Sequence, residues 1–169
     1  RMKTVLKALD LDPTRLTIVI YDMVKLLRNG KEVKLSKRSG DIVTLAEVVS
    51  EVGKDAVRFM LLTRSNEATI EFDLALAVQE SSENPVYYVQ YAHARIASIF
   101  RKATADGWQV DPEADLSLLV HPAELRLVRR LLMLPEVIDL TVERLQPHHL
   151  TYYARDLASE FHQFYRDCQ

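Results

Sequence analysis

Four prolines, Pro85, Pro122, Pro135 and Pro147, punctuate the second half of the chain at positions where each can open a helix, and this restricts the fold more than any other feature. Proline suits the first helical position, where its missing N–H has no intrahelical partner to lose, and it disrupts a helix interior. Pro85 follows Asn84 and Pro122 follows His121. From about residue 74 onward the sequence reads as almost wholly helical, with a loop expected from Asp106-Gly107 to Pro112. It contains no internal repeat and no low-complexity segment.

The first half reads differently. Residues 3 to 10 suggest a short helix stopped by Asp12-Pro13, and Leu16 to Tyr21, rich in β-branched residues, reads as a strand. Arg28-Asn29-Gly30-Lys31 gives an Asn-Gly hairpin turn, with arms that end near Leu27 and resume at Glu32-Val33. Thr44 and Glu47 have the spacing of a capping box, so a helix is expected to begin there. A second runs from about Asp55 to Thr63 with Val57, Met60 and Leu61 inward.

The helix opening at Pro85 carries Val86, Val89, His93, Ile96, Phe100 and Ala103 at alternating three- and four-residue spacing, the seam of a bundle helix. His93 on that seam is expected to be a buried structural histidine. At about 100° per residue, Tyr88, Tyr91, Arg95 and Lys102 gather on another face, pointing away from the core. They either pack on a neighbouring helix or form a platform on which bases stack, with Arg95 placed for a phosphate or a base edge. In the last segment Leu150, Ala154, Leu157, Phe161, Phe164 and Cys168 form one stripe; Arg155, His162 and Arg166 lie beside it and Tyr165 on its margin. Tyr165 admits simple core packing. Arg126, Arg129 and Arg130 read as a solvated face rather than an RNA contact.

With 48% hydrophobic and 27% charged residues the chain can build a core. Cys168 is the single cysteine, so neither a disulfide framework nor a Cys/His metal spacing is present in the sequence. No apolar run is long enough to span a membrane and no signal-like start is seen, so a cytoplasmic location is expected. The formal net charge of −2 is unusual for a nucleic-acid binder, whose affinity commonly rests on phosphate neutralisation. Any RNA contact must use local basic patches and splayed bases.

Lys34-Leu35-Ser36-Lys37-Arg38, closed by Ser39-Gly40, places three cations and a hydroxyl in five residues ahead of a glycine that lets the chain bend. Such a loop suits a polyphosphate. It resembles the KMSKR loop of class I aminoacyl-tRNA synthetases, with Leu35 in place of methionine, a volume-conserving change. Gly53-Lys54-Asp55-Ala56-Val57-Arg58 is similar to the helix start that trails this loop. Glu83-Asn84-Pro85-Val86-Tyr87-Tyr88-Val89-Gln90-Tyr91-Ala92-His93-Ala94-Arg95-Ile96 resembles the entry to the anticodon-binding bundle of arginyl-tRNA synthetases, and Arg64-Ser65 and Phe72-Asp73-Leu74 lie between the motifs as in that family.

The resemblance implies a mainly α fold: residues 1–73 as an α/β remnant of the class I catalytic domain with its basic loop and connecting helices, and 74–169 as a helical anticodon-binding domain lacking the family's last helices. The family's HIGH-type signature does not occur in these 169 residues. The expectation is therefore a carboxyl-side fragment, inactive alone, of an enzyme that attaches arginine to its tRNA at the expense of ATP. Lys37 and Lys34 are implied as catalytic, stabilising the departing pyrophosphate; Lys34, Ser36, Lys37 and Arg38 would hold the ATP phosphates. Tyr88, Tyr91, Arg95 and Tyr165 would bind tRNA, while residues 41–80 would touch the inner side of its L-shape. The implied partners are arginine tRNA, with L-arginine and ATP engaged only alongside the catalytic half. Mg2+ would arrive on the nucleotide, with no metal held by the protein, and the expected state is a monomer.

Other readings are a cysteinyl- or methionyl-type class I synthetase, which shares the basic loop, a non-catalytic RNA-binding helical module, or a helical interaction domain without RNA. The Asn84–Ile96 segment argues against the first. The negative net charge is the best argument for the last.

Overall fold

The computed structural model describes residues 1–33 and 43–168. The architecture is mainly α with a small three-stranded sheet near the N-terminal end. Helix α1 (Met2–Ala8) is followed by a 3-10 turn at Pro13–Arg15, where the Asp12 carboxylate accepts the Thr14 N–H at 2.9 Å. Leu16–Tyr21 is not a strand. The strand is β1 (Val24–Arg28), which has partners on both sides, whereas Ile20 and Tyr21 are largely exposed and only isolated bonds, such as Asn66 Nδ2 donating to the Ile20 carbonyl, hold their stretch. β-Propensity without a neighbouring strand does not make a ladder.

The hairpin forms as its sequence demands. Asn29 and Gly30 both take positive φ, 53° and 74°, the signature of a type I′ turn, and β1 returns as β2 (Lys31–Glu32). On its other side β1 pairs in parallel with β3 (Ile70–Asp73), giving the order β2-β1-β3. Helices α2 (Leu45–Val52) and α3 (Lys54–Leu61) intervene. Thr44 and Glu47 close the expected capping box. Gly53 joins the two helices at φ 83°, where a side chain would be strained. Val57 and Met60 are buried as expected, and together with Val48, Phe72 and Leu74 they form the core beneath the sheet.

Asp73 ends β3 and caps the short α4 (Leu74–Ala77), accepting the Ala75 N–H at 2.9 Å; the same carboxylate accepts the turn N–H groups of Asn29 at 3.2 Å and Gly30 at 2.7 Å. Asn84 is buried and wholly engaged. Its amide donates to the Ala77 and Gln79 carbonyls, and its oxygen accepts the Val86 N–H at 3.0 Å, starting α5 (Pro85–Ala105). Val86 belongs to the core beneath the sheet while Ala92, two turns on, belongs to the bundle, so one helix ties both units together.

The bundle adds α6 (Pro122–Leu132), α7 (Leu134–Arg144) and α8 (His148–Asp167), with α8 packed on α5, α6 and α7. Pro85 and Pro122 occupy first helical positions; Pro135 is second in α7, and Pro147 is the residue before α8. Thr151 Oγ1 lies 3.0 Å from the Leu62 carbonyl, linking α8 back to the end of α3. The second core joins Ala92 to Ala158 and Phe161, with Val89, Ile96, Leu127 and Phe164 around them.

Two expected faces rotate. His93 and Phe100 are exposed rather than buried, and Ala92 takes the inward position, because α8 crosses α5 about one residue away from the apolar seam. Leu150 is likewise exposed, and His148 and Thr151 are buried in that turn instead. Cys168 carries a free thiol whose sulfur lies 3.2 Å from His121 Nδ1.

Candidate nucleic-acid interface

The α5–α8 groove brings together four residues expected to share a site. Arg95 lies over the Tyr91 ring, with its guanidinium carbon 4.7 Å from the ring centroid, and over the Tyr165 ring, with the same carbon 4.4 Å from that centroid. It also donates to the Tyr91 hydroxyl. Tyr91 and Arg95 meet because they are one turn apart on α5; Tyr165 reaches them from α8. Tyr88, Tyr91, Arg95 and Tyr165 all line one cleft of about 530 Å³.

Tyr88 differs from its expected placement. It is half-buried against the bundle core, so it points partly inward, whereas Tyr91 and Tyr165 remain 41% and 38% exposed and present ring surface outward. Lys102 lies along the same groove, in an adjoining cleft that it shares with Arg101, Tyr91, Arg95 and Tyr165.

His162 is the group that the sequence placed only beside a stripe. Its imidazole stacks on Tyr91 at 5.6 Å with 30° between planes and meets Tyr88 edge-on at 4.9 Å, so it is the wedge that spaces the two tyrosines. Tyr87 extends the series, stacking on Tyr91 at 6.0 Å. Burial holds His162 below the ordinary histidine pKa; the Tyr88 backbone pulls it back upward, and the Arg95 charge adds a lesser downward push. Its Nε2 is buried and has no hydrogen-bond partner among the described residues. Only the meeting of α5 with α8 reveals this role. The spacing of α8 alone gives no such signal.

The arginines of α6 are mostly accounted for within the bundle. Arg126 pairs with Glu160 at 3.4 Å and Arg130 with Asp156 at 3.3 Å, both carboxylates on α8. Lys34, Ser36, Lys37 and Arg38, the expected phosphate loop, lie outside the described residues, as does Gln169. Among the described residues no cluster of His, Cys, Asp and Glu is placed to hold a metal ion, and no helix is long and apolar enough to cross a membrane.

A groove walled by tyrosines, with arginine between them, can stack planar groups and attract phosphate. Comparison with known proteins gives that chemistry a family. Residues 89–169 match the DALR anticodon binding domain. The whole chain is 52% identical to the arginine–tRNA ligase of Dehalococcoides mccartyi strain BAV1 and 46% identical to that of Heliobacterium modesticaldum, covering 30% and 31% of those proteins. It thus spans about a third of the length of the curated relatives it matches. Among solved structures, a Campylobacter jejuni protein described as an arginyl-tRNA synthetase superposes with a TM-score of 0.84 at 34% identity, over 98% of this chain and 36% of that one. The Thermus thermophilus arginyl-tRNA synthetase superposes with a TM-score of 0.62 at 27% identity, over 86% and 26%. The chain is thus similar over its whole length to a part of arginine–tRNA ligases, and its residues 89–169 match the DALR anticodon binding domain.

Proposed function

We propose that this chain supplies the anticodon-binding face and the ATP-phosphate loop of an arginine–tRNA ligase, which activates arginine with ATP and esterifies it to arginine tRNA. The observation that carries the reading is the convergence of Tyr88, Tyr91, Arg95 and Tyr165 on one groove, within a bundle of anticodon-binding family. Their rings would stack splayed anticodon bases and Arg95 would meet a phosphate or a base edge. The division falls at 73/74, with the hairpin, sheet and connecting helices on the catalytic side.

In the loop, Lys37 is the principal contact to the leaving pyrophosphate, with Lys34, Ser36 and Arg38 in support. ATP is the substrate and Mg2+ comes with it, through the nucleotide. The protein acts as a cytoplasmic monomer. A binding titration against arginine tRNA and a control tRNA, over a range of salt, tests the reading. Preference for arginine tRNA with a modest salt slope is expected, and equal binding of both, or of neither, would overturn it.

A further inference from the structure

Two clefts meet at one wall on the bundle. The first runs past Glu80 and Ser81 to His162; the second runs past Ser98 and Arg101 to Lys102. Both are lined by Tyr91, Arg95 and Tyr165, so the Arg95 guanidinium, held between the two rings, is the partition that separates them. A guanidinium is planar and stacks on aromatic faces as a nucleobase does. Arg95 forms no ion pair among the described residues, and its recorded hydrogen bond goes to the Tyr91 hydroxyl of its own wall.

We propose that Arg95 is a gate that occupies a single-base slot between Tyr91 and Tyr165 in the free protein and yields it to an unstacked nucleobase. The inference rests on the anticodon-binding reading of the groove. Leaving the sandwich forfeits the cation–π contacts, but a base stacked in the same place gives a contact at least as strong. The displaced guanidinium then turns outward to the phosphate of the incoming strand, beside Arg101 and Lys102. With the partition withdrawn the two clefts become one groove long enough for several nucleotides. Base entry and phosphate capture are thereby coupled through one side chain: an RNA backbone that brings no base leaves the gate shut.

The test follows the Arg95 Nε–H signal by NMR in the 169-residue protein. A synthetic anticodon stem–loop of arginine tRNA is added in one arm and the same stem–loop with abasic loop positions in another. In the free protein the signal is expected to be displaced by the ring currents of Tyr91 and Tyr165, to move to an ordinary arginine position with the intact loop, and to stay with the abasic one. Arg95→Ala should lower the salt slope of intact-loop binding by about one, and an unaltered slope would overturn the phosphate capture. If the intact loop binds, as fluorescence anisotropy reports, while the Arg95 signal keeps its displaced position, the gate is wrong and the anticodon reading survives. An abasic loop that moves the signal as far as the intact one also overturns it. Failure of the intact stem–loop to bind above a scrambled hairpin overturns the anticodon reading and the gate together.

Discussion

The Asp73 carboxylate accepts the Gly30 N–H at 2.7 Å, fastening the turn of the hairpin that leads into the basic loop to the first residues of α4. Desolvation, the largest single influence on this group, raises its pKa, but the combined N–H groups of Gly30, Ala75, Leu76 and Asn29 outweigh it and hold the carboxyl below its ordinary value. Asp73→Ala should cost about 1 to 2 kcal/mol, the worth of a good N-cap, in chemical denaturation. Because the folded-state pKa is lowered, the contribution is present above the ordinary aspartate value and is lost as pH falls through the lowered one. Asp73→Asn should flatten that acid limb, and an unaltered acid limb would show that the carboxylate carries none of it.

Tyr91→Ala and Tyr88→Ala should separate binding from packing. Tyr91 is exposed enough that its loss should reduce discrimination between normal and anticodon-altered arginine tRNA by about 1 to 3 kcal/mol, the range for base-on-aromatic stacking, with a small change in unfolding midpoint. Tyr88 packs on the core, so its alanine variant should lose stability as well. Both should leave arginine activation nearly unchanged in the intact enzyme. If discrimination persists in the folded fraction of either variant, these rings only pack the bundle.

His162 should titrate below the ordinary histidine range in an NMR pH series. Between the lowered folded value and the unfolded one the unfolded chain binds more protons, so stability falls as pH drops across that window and levels off beneath it. His162→Phe should remove this share of the acid sensitivity. His148, also held low by burial and by the neighbouring His149, should keep its own share. A His162 midpoint at or above the ordinary value would contradict the buried, neutral imidazole.

In the intact enzyme Lys37→Ala should lower the rate of arginine activation far more than it weakens ground-state ATP binding if, as proposed, its charge acts as pyrophosphate departs. Pre-steady-state activation kinetics separate the two. An unchanged rate with a raised apparent ATP constant would make Lys37 an ordinary binding residue. The 169 residues alone should give no arginine-dependent ATP–pyrophosphate exchange above a blank.

Features written in a few adjacent residues were legible without the structure. The Asn29-Gly30 turn, the Thr44–Glu47 capping box and the start of α5 after Asn84 are local hydrogen-bonding solutions that need no distant partner. Leu16–Tyr21 misled because β-branched residues fit a strand only where a strand is offered, and the parallel pairing of β1 with β3 brings together residues more than forty positions apart. His93 misled for a related reason: the apolar seam of α5 fixes its inward face only to within the angle at which α8 crosses it. The cluster of Tyr88, Tyr91 and Arg95 was readable from helical spacing, and Tyr165 from the family resemblance. The wedge of His162 and the sandwich around Arg95 exist only where α5 and α8 touch.

The pairing of Arg126 with Glu160 and of Arg130 with Asp156 bears on how the proposed RNA contact would be made. Helix α6 spends two of its three arginines on its neighbour, so it projects little field into solvent, and the whole chain carries a formal charge of −2. Long-range steering needs an unbalanced positive surface and decays over a Debye length of about 8 Å in physiological salt. Encounter with RNA would then be closer to a neutral collision, and recognition would be decided after contact, by which bases can be splayed into the groove. Such a surface finds its partner more slowly than a basic one, and it is correspondingly poor at being trapped on the bulk of cellular nucleic acid.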